Sequence, residues 1–492
     1  MTLTPEHADV VVVGGRLAGC AVAAPLARAG RKVIVLDKMA FPSDQLSTHV
    51  LFPAGVSEFA KMGALHRILA VNPSIVRYIH AEAEGVVCIE RMGPARDGIN
   101  FGLCVPRPLQ DICLVEAARE QGADVREHST FGSLHWRAGR VSGVRYFDSD
   151  GVPRDIEAHL VIGADGRRSP VAAAVGAWNP YRVSRNGRGL VFRYAQDPRP
   201  AGSAATETYY QWRSGNSFAM AFPSAPKGTM LLLFMADRDE ASEARRDPEG
   251  YWQRKLEQHP SMRARIQGAD LSTCTKIRST GETPAFFRAS SGPGWALAGD
   301  AAHFKDPVTA QGQRDAMWMG RTLAEHILPV LDDPLAVDRA TRRWEAHRDE
   351  HCLPAYHFAN FDTRVEVQSP AVCEFFRDAG RTTEPDLTDL FGRGRTFQQV
   401  APLPRLAKCV ASALLRGDRP RSETIARAIP ELRTELEIRR ERFAHRFRET
   451  RLVTGSDHPG TVWPKAPTVK RPEAIDQPEP PAITIREEVF AA

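Results

Sequence analysis

Two glycine-bearing segments far apart in the sequence constrain this chain more than any other feature. The first is Asp9-Val-Val-Val-Val-Gly14-Gly15-Arg16-Leu17-Ala18-Gly19, followed by Val33-Ile-Val-Leu-Asp37. The apolar, β-branched run before Gly14 reads as a buried parallel strand. Leu17 to Ala29 is rich in Ala and Leu and reads as a helix that stops at Gly30. Lys32 to Leu36 reads as a second strand, which completes a β-α-β unit. The second segment is Trp295-Ala-Leu-Ala-Gly299-Asp300-Ala-Ala-His303, followed by Pro307 and Gly312. Between them lies Gly163-Ala164-Asp165-Gly166, which ends another strand and opens a helix.

In Gly-x-Gly-x-x-Gly the first glycine permits the tight turn from strand to helix. The second admits a pyrophosphate close to the backbone, and the third lets helix and strand pack closely. The helix N-terminus then faces the phosphates with free N–H groups and the positive end of its dipole. Gly14 and Gly19 take the first and third roles, and Arg16 stands where the second glycine belongs. A side chain there pushes the phosphate outward, which a guanidinium offsets by pairing with the phosphate or stacking on the adenine. Asp37 ends the second strand 23 residues after Gly14, close to the spacing of about 20 for an acid that binds ribose hydroxyls. An Asp at position 300 suits a ribityl hydroxyl. Pro307 and Gly312 would place main-chain N–H groups of the loop between them near the flavin O2/N1 edge, where negative charge develops on reduction. The three motifs together read as contacts of one FAD.

At these residues the chain resembles class A flavoprotein monooxygenases of the para-hydroxybenzoate hydroxylase type. More narrowly, it is similar to bacterial FAD-dependent oxidoreductases grouped with geranylgeranyl reductases, where a Gly-x-Arg-x-Ala-Gly start is familiar. The resemblance covers about residues 8–330. It implies a pyrophosphate site at Gly14, Gly15, Arg16, Ala18 and Gly19, and an adenine-ribose contact at Asp37 with Lys38 beside it. It also implies flavin-side contacts at Ser47 and Thr48, an FAD-contacting arginine at Arg107 in Pro106-Arg107-Pro-Leu-Gln-Asp111, and a shared FAD and NAD(P)H motif at Asp165. Asp300, Pro307 and Gly312 complete the set. Two departures stand out: Ala310 replaces the first glycine of Pro-x-x-Gly-x-Gly, and Arg314 replaces an Asn usual two residues after the second.

The expected fold is α/β. A discontinuous Rossmann-like FAD-binding domain spans 1–180 and 285–330, with an antiparallel-sheet substrate domain over 181–284 and one helix at 251–266. Residues 331–463 read as helical, and 464–492, with six prolines up to Pro481, as a disordered tail or surface strap. Within 431–451, Leu432, Leu436, Phe443 and Phe447 form one stripe, expected to pack on its own domain, with a homodimer as the alternative.

The chain carries 65 basic and 60 acidic residues, too even a balance for nucleic-acid binding. The start Met1-Thr-Leu-Thr-Pro-Glu-His lacks a basic n-region and no apolar stretch reaches spanning length, so a cytoplasmic protein without a membrane span is expected. Eight cysteines show no Cys-x-x-Cys or metal-ligand spacing and read as free thiols, Cys20 as packing. No metal is expected. His303 reads as a structural hydrogen bonder before a proton relay, His49 is ambiguous, and Lys305 with Asp306 reads as an exposed pair.

No catalytic residue is assigned, because the cofactor carries the chemistry. The expected activity is a monooxygenase that uses NADPH or NADH and O2 to oxygenate an aromatic or other electron-rich apolar small molecule through a flavin hydroperoxide. The substrate would lie against Phe192, Tyr209, Tyr210, Trp212, Phe218 and Phe222, half of which plain core packing explains. The alternatives are a C=C reductase of the geranylgeranyl reductase kind, a halogenase, disfavoured because Trp-x-Trp-x-Ile-Pro is absent, and a nucleotide-binding protein without chemistry.

Overall fold

In the computed structural model the strand Glu6–Val13 lies at the centre of an eight-stranded sheet, paired in parallel with Val33–Leu36 on one side and Pro153–Gly163 on the other. The structure describes residues 6–93, 97–185, 187–281, 284–445, 456–457 and 463–468. Asp124–Arg126 extends the sheet beyond Val33–Leu36, and Trp295–Leu297 extends it beyond Pro153–Gly163, both in parallel. Trp295–Leu297 therefore returns to a sheet begun by the N-terminus, as expected of a discontinuous domain. The strands are apolar on both faces because helices cover both. Val10 and Val12 face one core with the Ala/Leu helix Leu17–Arg28, while Val11 and Val13 face another.

The register decides where the motifs go. Val13 pairs with Leu36 and with Gly163, and Gly163 pairs with Leu297. The C-terminal ends of four strands are thus level. Asp37, Gly14, Ala164 with Asp165, and Gly299 with Asp300 leave the same edge in that spatial order. Hydrogen bonds continue past the strands, from Gly14 N to Leu36 O at 2.7 Å, Ala164 N to Val13 O at 2.7 Å and Ala298 N to Gly163 O at 2.9 Å. In open α/β sheets this edge, at the point where strand order reverses, is where ligands bind.

A second, seven-stranded sheet runs in the order Arg278–Thr280, Arg188–Gln196, Thr229–Asp237, Ser217–Pro223, Thr208–Ser214, Tyr78–Ala83 and Val86–Arg91. It is antiparallel except where Thr208–Ser214 meets Tyr78–Ala83 in parallel. The hairpin 78–91, counted in sequence with the first domain, thus belongs to this sheet. Alternation splits its side chains. Phe192, Tyr209, Phe218 and Phe222 face a core shared with Phe52 and Val308, while Trp212 packs in the opposite core with Trp252. The single helix expected at 251–266 is two short ones, Pro248–Gln258 and Pro260–Arg265, preceded by a further helix Glu240–Arg246. The prolines explain the breaks: each suits a helix start and ends the helix before it.

The remaining chain is helical. Gly312–Ile327 packs on Leu17–Arg28 at closest approach through Gly320, where a Cβ would lie 2.3 Å from Ala18 O. Pro334–Asp362 follows, then shorter helices and Arg421–His445. The last helix differs from expectation: Leu432, Leu436 and Phe443 are exposed, and the buried side carries Ala428, Glu435, Ile438 and Glu441. Its docking is polar. Glu441 pairs with Arg182 and, at 2.8 Å, with His357, while Arg182 also binds Asp457. Buried charged partners set which face turns inward here, and the apolar stripe does not. Phe447 lies outside the described residues. Residues 463–468 lie on the first domain as a strap, with Trp463 Nε1 donating to Trp178 O at 3.1 Å and Trp178 Nε1 donating to Pro464 O at 2.7 Å. Residues 469–492 fall outside the described set.

Among the described residues no helix is long and apolar enough to cross a membrane. All eight cysteines are free and seven are buried.

Candidate cofactor and active site

Gly14 has φ +105, and a Cβ on it would lie 2.4 Å from Ala164 O. Only glycine fits that turn. A Cβ on Gly19 would lie 1.8 Å from Gly14 O, so the helix can sit on the turn only with glycine there. The roles read for the first and third glycines are therefore geometric necessities. Gly15 N donates to Asp37 Oδ2 at 2.7 Å, and Met39 N donates to Asp37 Oδ1 at 2.9 Å. Asp37 thus braces the turn through one lone pair on each oxygen and keeps the others for hydroxyl donors. Lys38 follows it and is exposed.

Arg16 is held differently from the sequence expectation. Its Nη1 donates to Asp111 Oδ2 at 2.6 Å and its Nη2 to Ser43 Oγ at 2.7 Å. Arg107 forks onto the same carboxylate at 2.7 and 2.9 Å. Asp111 is fully buried. It gathers two guanidiniums, one from the Gly14 turn and one from the start of the helix Arg107–Glu120. Asp111 is a site residue that sequence reasoning passed over. Its signal was the i,i+4 spacing from Arg107 on a helix.

Further along the edge, Gly299 has φ +60 and sits against Ala18. Burial raises the carboxyl of Asp300, while the charges of Arg167, Arg107 and Lys305 act to lower it. Asp165 Oδ2 accepts from Val171 N at 3.1 Å, its Oδ1 is buried without a partner, and burial pushes its carboxyl up to about 6. The turn at Pro307–Thr309 ends on Ala310 in the left-handed region, φ 54 and ψ 27. The chain keeps a glycine conformation at that position without the glycine.

The helix Gly312–Ile327 begins beside this turn. Gln313 Nε2 donates to Ser47 Oγ at 3.1 Å, and Gln110 Nε2 donates to Gln313 Oε1. Ser47 is thereby brought to the helix start, with Thr48 O accepting from Cys104 Sγ at 3.5 Å. Beyond Thr48, His49 is buried at φ 63 and lies 6.1 Å from the Tyr194 ring. Burial, then the charge of Arg107, keeps His49 neutral. The Tyr194 hydroxyl is buried without a partner.

One expectation is corrected. Lys305 and Asp306 are buried and do not form an exposed pair: Lys305 pairs with Asp315, and Asp306 accepts from Val308 N at 2.9 Å. The helix packs over both, so their charge had to be met inside. His303 behaves as the structural reading expected. Its Nδ1 bonds Phe286 O at 2.8 Å and its ring stacks on Phe287 at 3.9 Å. His303, Asp315 and Cys352 place ligand-type atoms close together, but the Lys305 ammonium already occupies that carboxylate.

The cradle suits FAD. Neither Leu17–Arg28 nor Gly312–Ile327 has a side-chain N-cap, so their first-turn N–H groups remain for anionic oxygens. A Cβ on Gly312 or Gly166 would meet no atom within 4 Å, so space is open at both. Thr309 Oγ1, Gln311 Oε1 and Asp165 Oδ1 are buried and unpartnered around it. A family model described as an FAD binding domain matches residues 7–334.

The chain belongs to this FAD-binding family. As an FAD-dependent oxidoreductase it is similar to a digeranylgeranylglycerophospholipid reductase of Methanothermobacter thermautotrophicus, 28% identical over 68% of this chain and 83% of the relative. It is also similar to the squalene epoxidase erg1 of Aspergillus fumigatus, 24% identical over 70% of this chain and 72% of that protein. Among solved structures, the myxobacterial chondrochloren halogenase CndH superposes with a TM-score of 0.64 at 20% identity, over 84% of this flavoprotein and 97% of CndH. That likeness concerns the fold. The family's relatives are reductases and monooxygenases alike.

Proposed function

We propose that this flavoprotein uses NADPH or NADH and O2 to oxygenate an aromatic or other electron-rich apolar small molecule. Bound FAD would supply redox chemistry between nicotinamide, O2 and substrate. The protein would hold it by the Gly14 turn, Arg16 and Arg107 at the pyrophosphate, Asp37 at the adenine ribose, Asp300 at the ribityl chain, and the Gly312 helix start at the flavin.

The observation that carries the reading is the apolar wall beside that helix start. Phe52, Phe192, Tyr209 and Phe222 are buried there with Val308 and Ala310, Tyr209 stacking on Phe222 at 5.2 Å. Such a wall excludes water and suits a flat apolar ligand. His49, kept neutral, adds no charge to it.

A second reading is C=C reduction, supported by the reductase relatives and by Tyr194. Its unpartnered hydroxyl is the described group at the wall best suited to give a proton to carbon. The two readings separate on product and on Tyr194→Phe. Oxygenation predicts NAD(P)H oxidation that needs air, a product one oxygen atom heavier, and little change in turnover in Tyr194→Phe. Reduction under nitrogen, a product two hydrogens heavier and slowed turnover in the variant would replace it with the second reading.

A further inference from the structure

A cleft of about 780 Å³ opens between the helices Pro53–Lys61, Gly312–Ile327 and Pro334–Asp362 and the segment 388–399. Gln311, at the edge of the cofactor cradle, lines it as well. Gln313 reaches Ser47 on the flavin side, whereas the next residue, Arg314, points to His351 on the Pro334–Asp362 helix.

At the inner end three cations meet one carboxylate. Asp315 Oδ2 takes the ammonium of buried Lys305. Asp315 Oδ1 accepts from Arg314 Nη1 at 3.1 Å and faces Arg393 Nη2 at 3.7 Å. The Arg314 and Arg393 side chains are 13% and 9% exposed, so solvent does little to screen them. The other carboxylates lining the cleft are engaged. Glu58 is held by Arg321 at 2.7 and 3.0 Å, Asp97 by Lys61 at 3.1 Å, Asp389 by Arg395 at 2.6 Å, and Glu350 also has a partner. Arg314 Nε is buried with no partner. Arg393 sits at φ 62, a left-handed backbone conformation that non-glycine residues seldom adopt, and donates to His351 O at 2.9 Å.

Three cations thus share the single carboxylate of Asp315, an excess of two positive charges at this end among the described residues, with Arg314 and Arg393 half-buried. Buried charge is stable only when paired, and a guanidinium fork suits a carboxylate or phosphate. Apolar surface adjoins these cations: the Arg314 guanidinium lies 5.5 Å over the Trp318 ring, Trp318 stacks on His351 at 3.8 Å, and Phe358 and Phe397 lie parallel at 6.2 Å.

We propose that this cleft binds an amphipathic anion, a single phosphate or carboxylate on an apolar body. Arg314 and Arg393 hold the anionic end, and Trp318, Phe358 and Phe397 hold the body. The assignment is independent of which reaction the flavin performs.

Calorimetric titration of the FAD-loaded full chain with inorganic phosphate, octyl phosphate below its micelle concentration, and octanol tests it. Octyl phosphate should bind about tenfold or more tighter than inorganic phosphate, and octanol should give no saturable heat. Arg393→Gln should weaken octyl phosphate about tenfold, Arg393→Lys, which keeps the charge but loses the fork, should weaken it less, and Phe397→Ala should weaken octyl phosphate but not phosphate. Added salt should weaken octyl phosphate on the unmodified protein, a readout that stands even where the Gln variant fails to fold. Absence of saturable octyl phosphate binding, octanol binding equally well, phosphate binding equally well, or salt-insensitive affinity would each overturn the proposal.

Discussion

Asp111 offers the sharpest test of how the Gly14 end of the cradle is built. It is fully buried and accepts three charge-assisted bonds, one from Arg16 at 2.6 Å and two from Arg107 at 2.7 and 2.9 Å. The two guanidiniums are 17% and 11% exposed, so screening removes little of the interaction. Asp111→Asn leaves both cations facing an amide. Breaking a buried pair from one side costs about 3–5 kcal/mol; the retained amide oxygen places the expected loss at the lower end, about 3 kcal/mol. Arg16→Ala leaves Asp111 still forked by Arg107, so about 1–2 kcal/mol should be lost. Because both changes delete the same bond, the double variant should lose less than the sum, with a coupling of about 1–2 kcal/mol. Urea unfolding of the four FAD-free proteins, followed by tryptophan fluorescence, measures the cycle. Fluorescence titration with FAD should show Arg16→Ala weakening the cofactor about tenfold, as a lost phosphate-side charge implies. Losses that add to within about 0.5 kcal/mol would refute the shared-carboxylate account, and unchanged FAD affinity would show that Arg16 serves only the fold.

Three further outcomes are expected. Ala310→Gly should stabilise the chain by under about 1 kcal/mol in thermal unfolding, because relief of left-handed strain, about 1–2 kcal/mol, exceeds glycine's entropic cost of about 0.5–1 kcal/mol; a loss of stability would show that the turn is not strained. Gly19→Ala should abolish FAD retention on gel filtration, since its Cβ would lie 1.8 Å from Gly14 O, and a yellow, stable variant would contradict the described turn. Burial pushes Asp306 up to about 7 from 3.8, so the folded chain keeps a proton that the unfolded chain loses near pH 4. Folded protein then binds more protons between pH 4 and 7, and stability falls as pH rises through that window, by up to about 4 kcal/mol. Asp306→Asn should reduce this slope in urea titrations across pH, leaving the smaller contribution of Asp165, and an unchanged slope would assign it to other groups.

Much of the cradle was legible in the chain because glycines at a strand-to-helix turn report backbone geometry directly. Gly14 and Gly19 are forced by contacts inside their own β-α unit, which is why position alone revealed them. The acids at strand ends, Asp37, Asp165 and Asp300, were legible because each follows an apolar run. The partner of Arg16 was not: Asp111 is 95 residues away, and no local pattern says that one carboxylate will serve two arginines. Lys305 and Asp306 read as surface residues because charge usually means exposure, and only the helix packed over them shows otherwise. The outward stripe of Arg421–His445 misled for the converse reason. Periodicity gives a helix two faces but does not choose between an apolar dock and buried ion pairs.

By itself, then, the sequence determined the β-α-β start, the three motif turns and the family, since each rests on local sterics and hydrogen bonding. Only the tertiary structure decided that the turns leave one sheet edge in register, that the hairpin 78–91 joins the second sheet, and that three cations converge on Asp315. Those outcomes depend on strand order and packing between residues distant in the chain, where burial sets the strength of every charge.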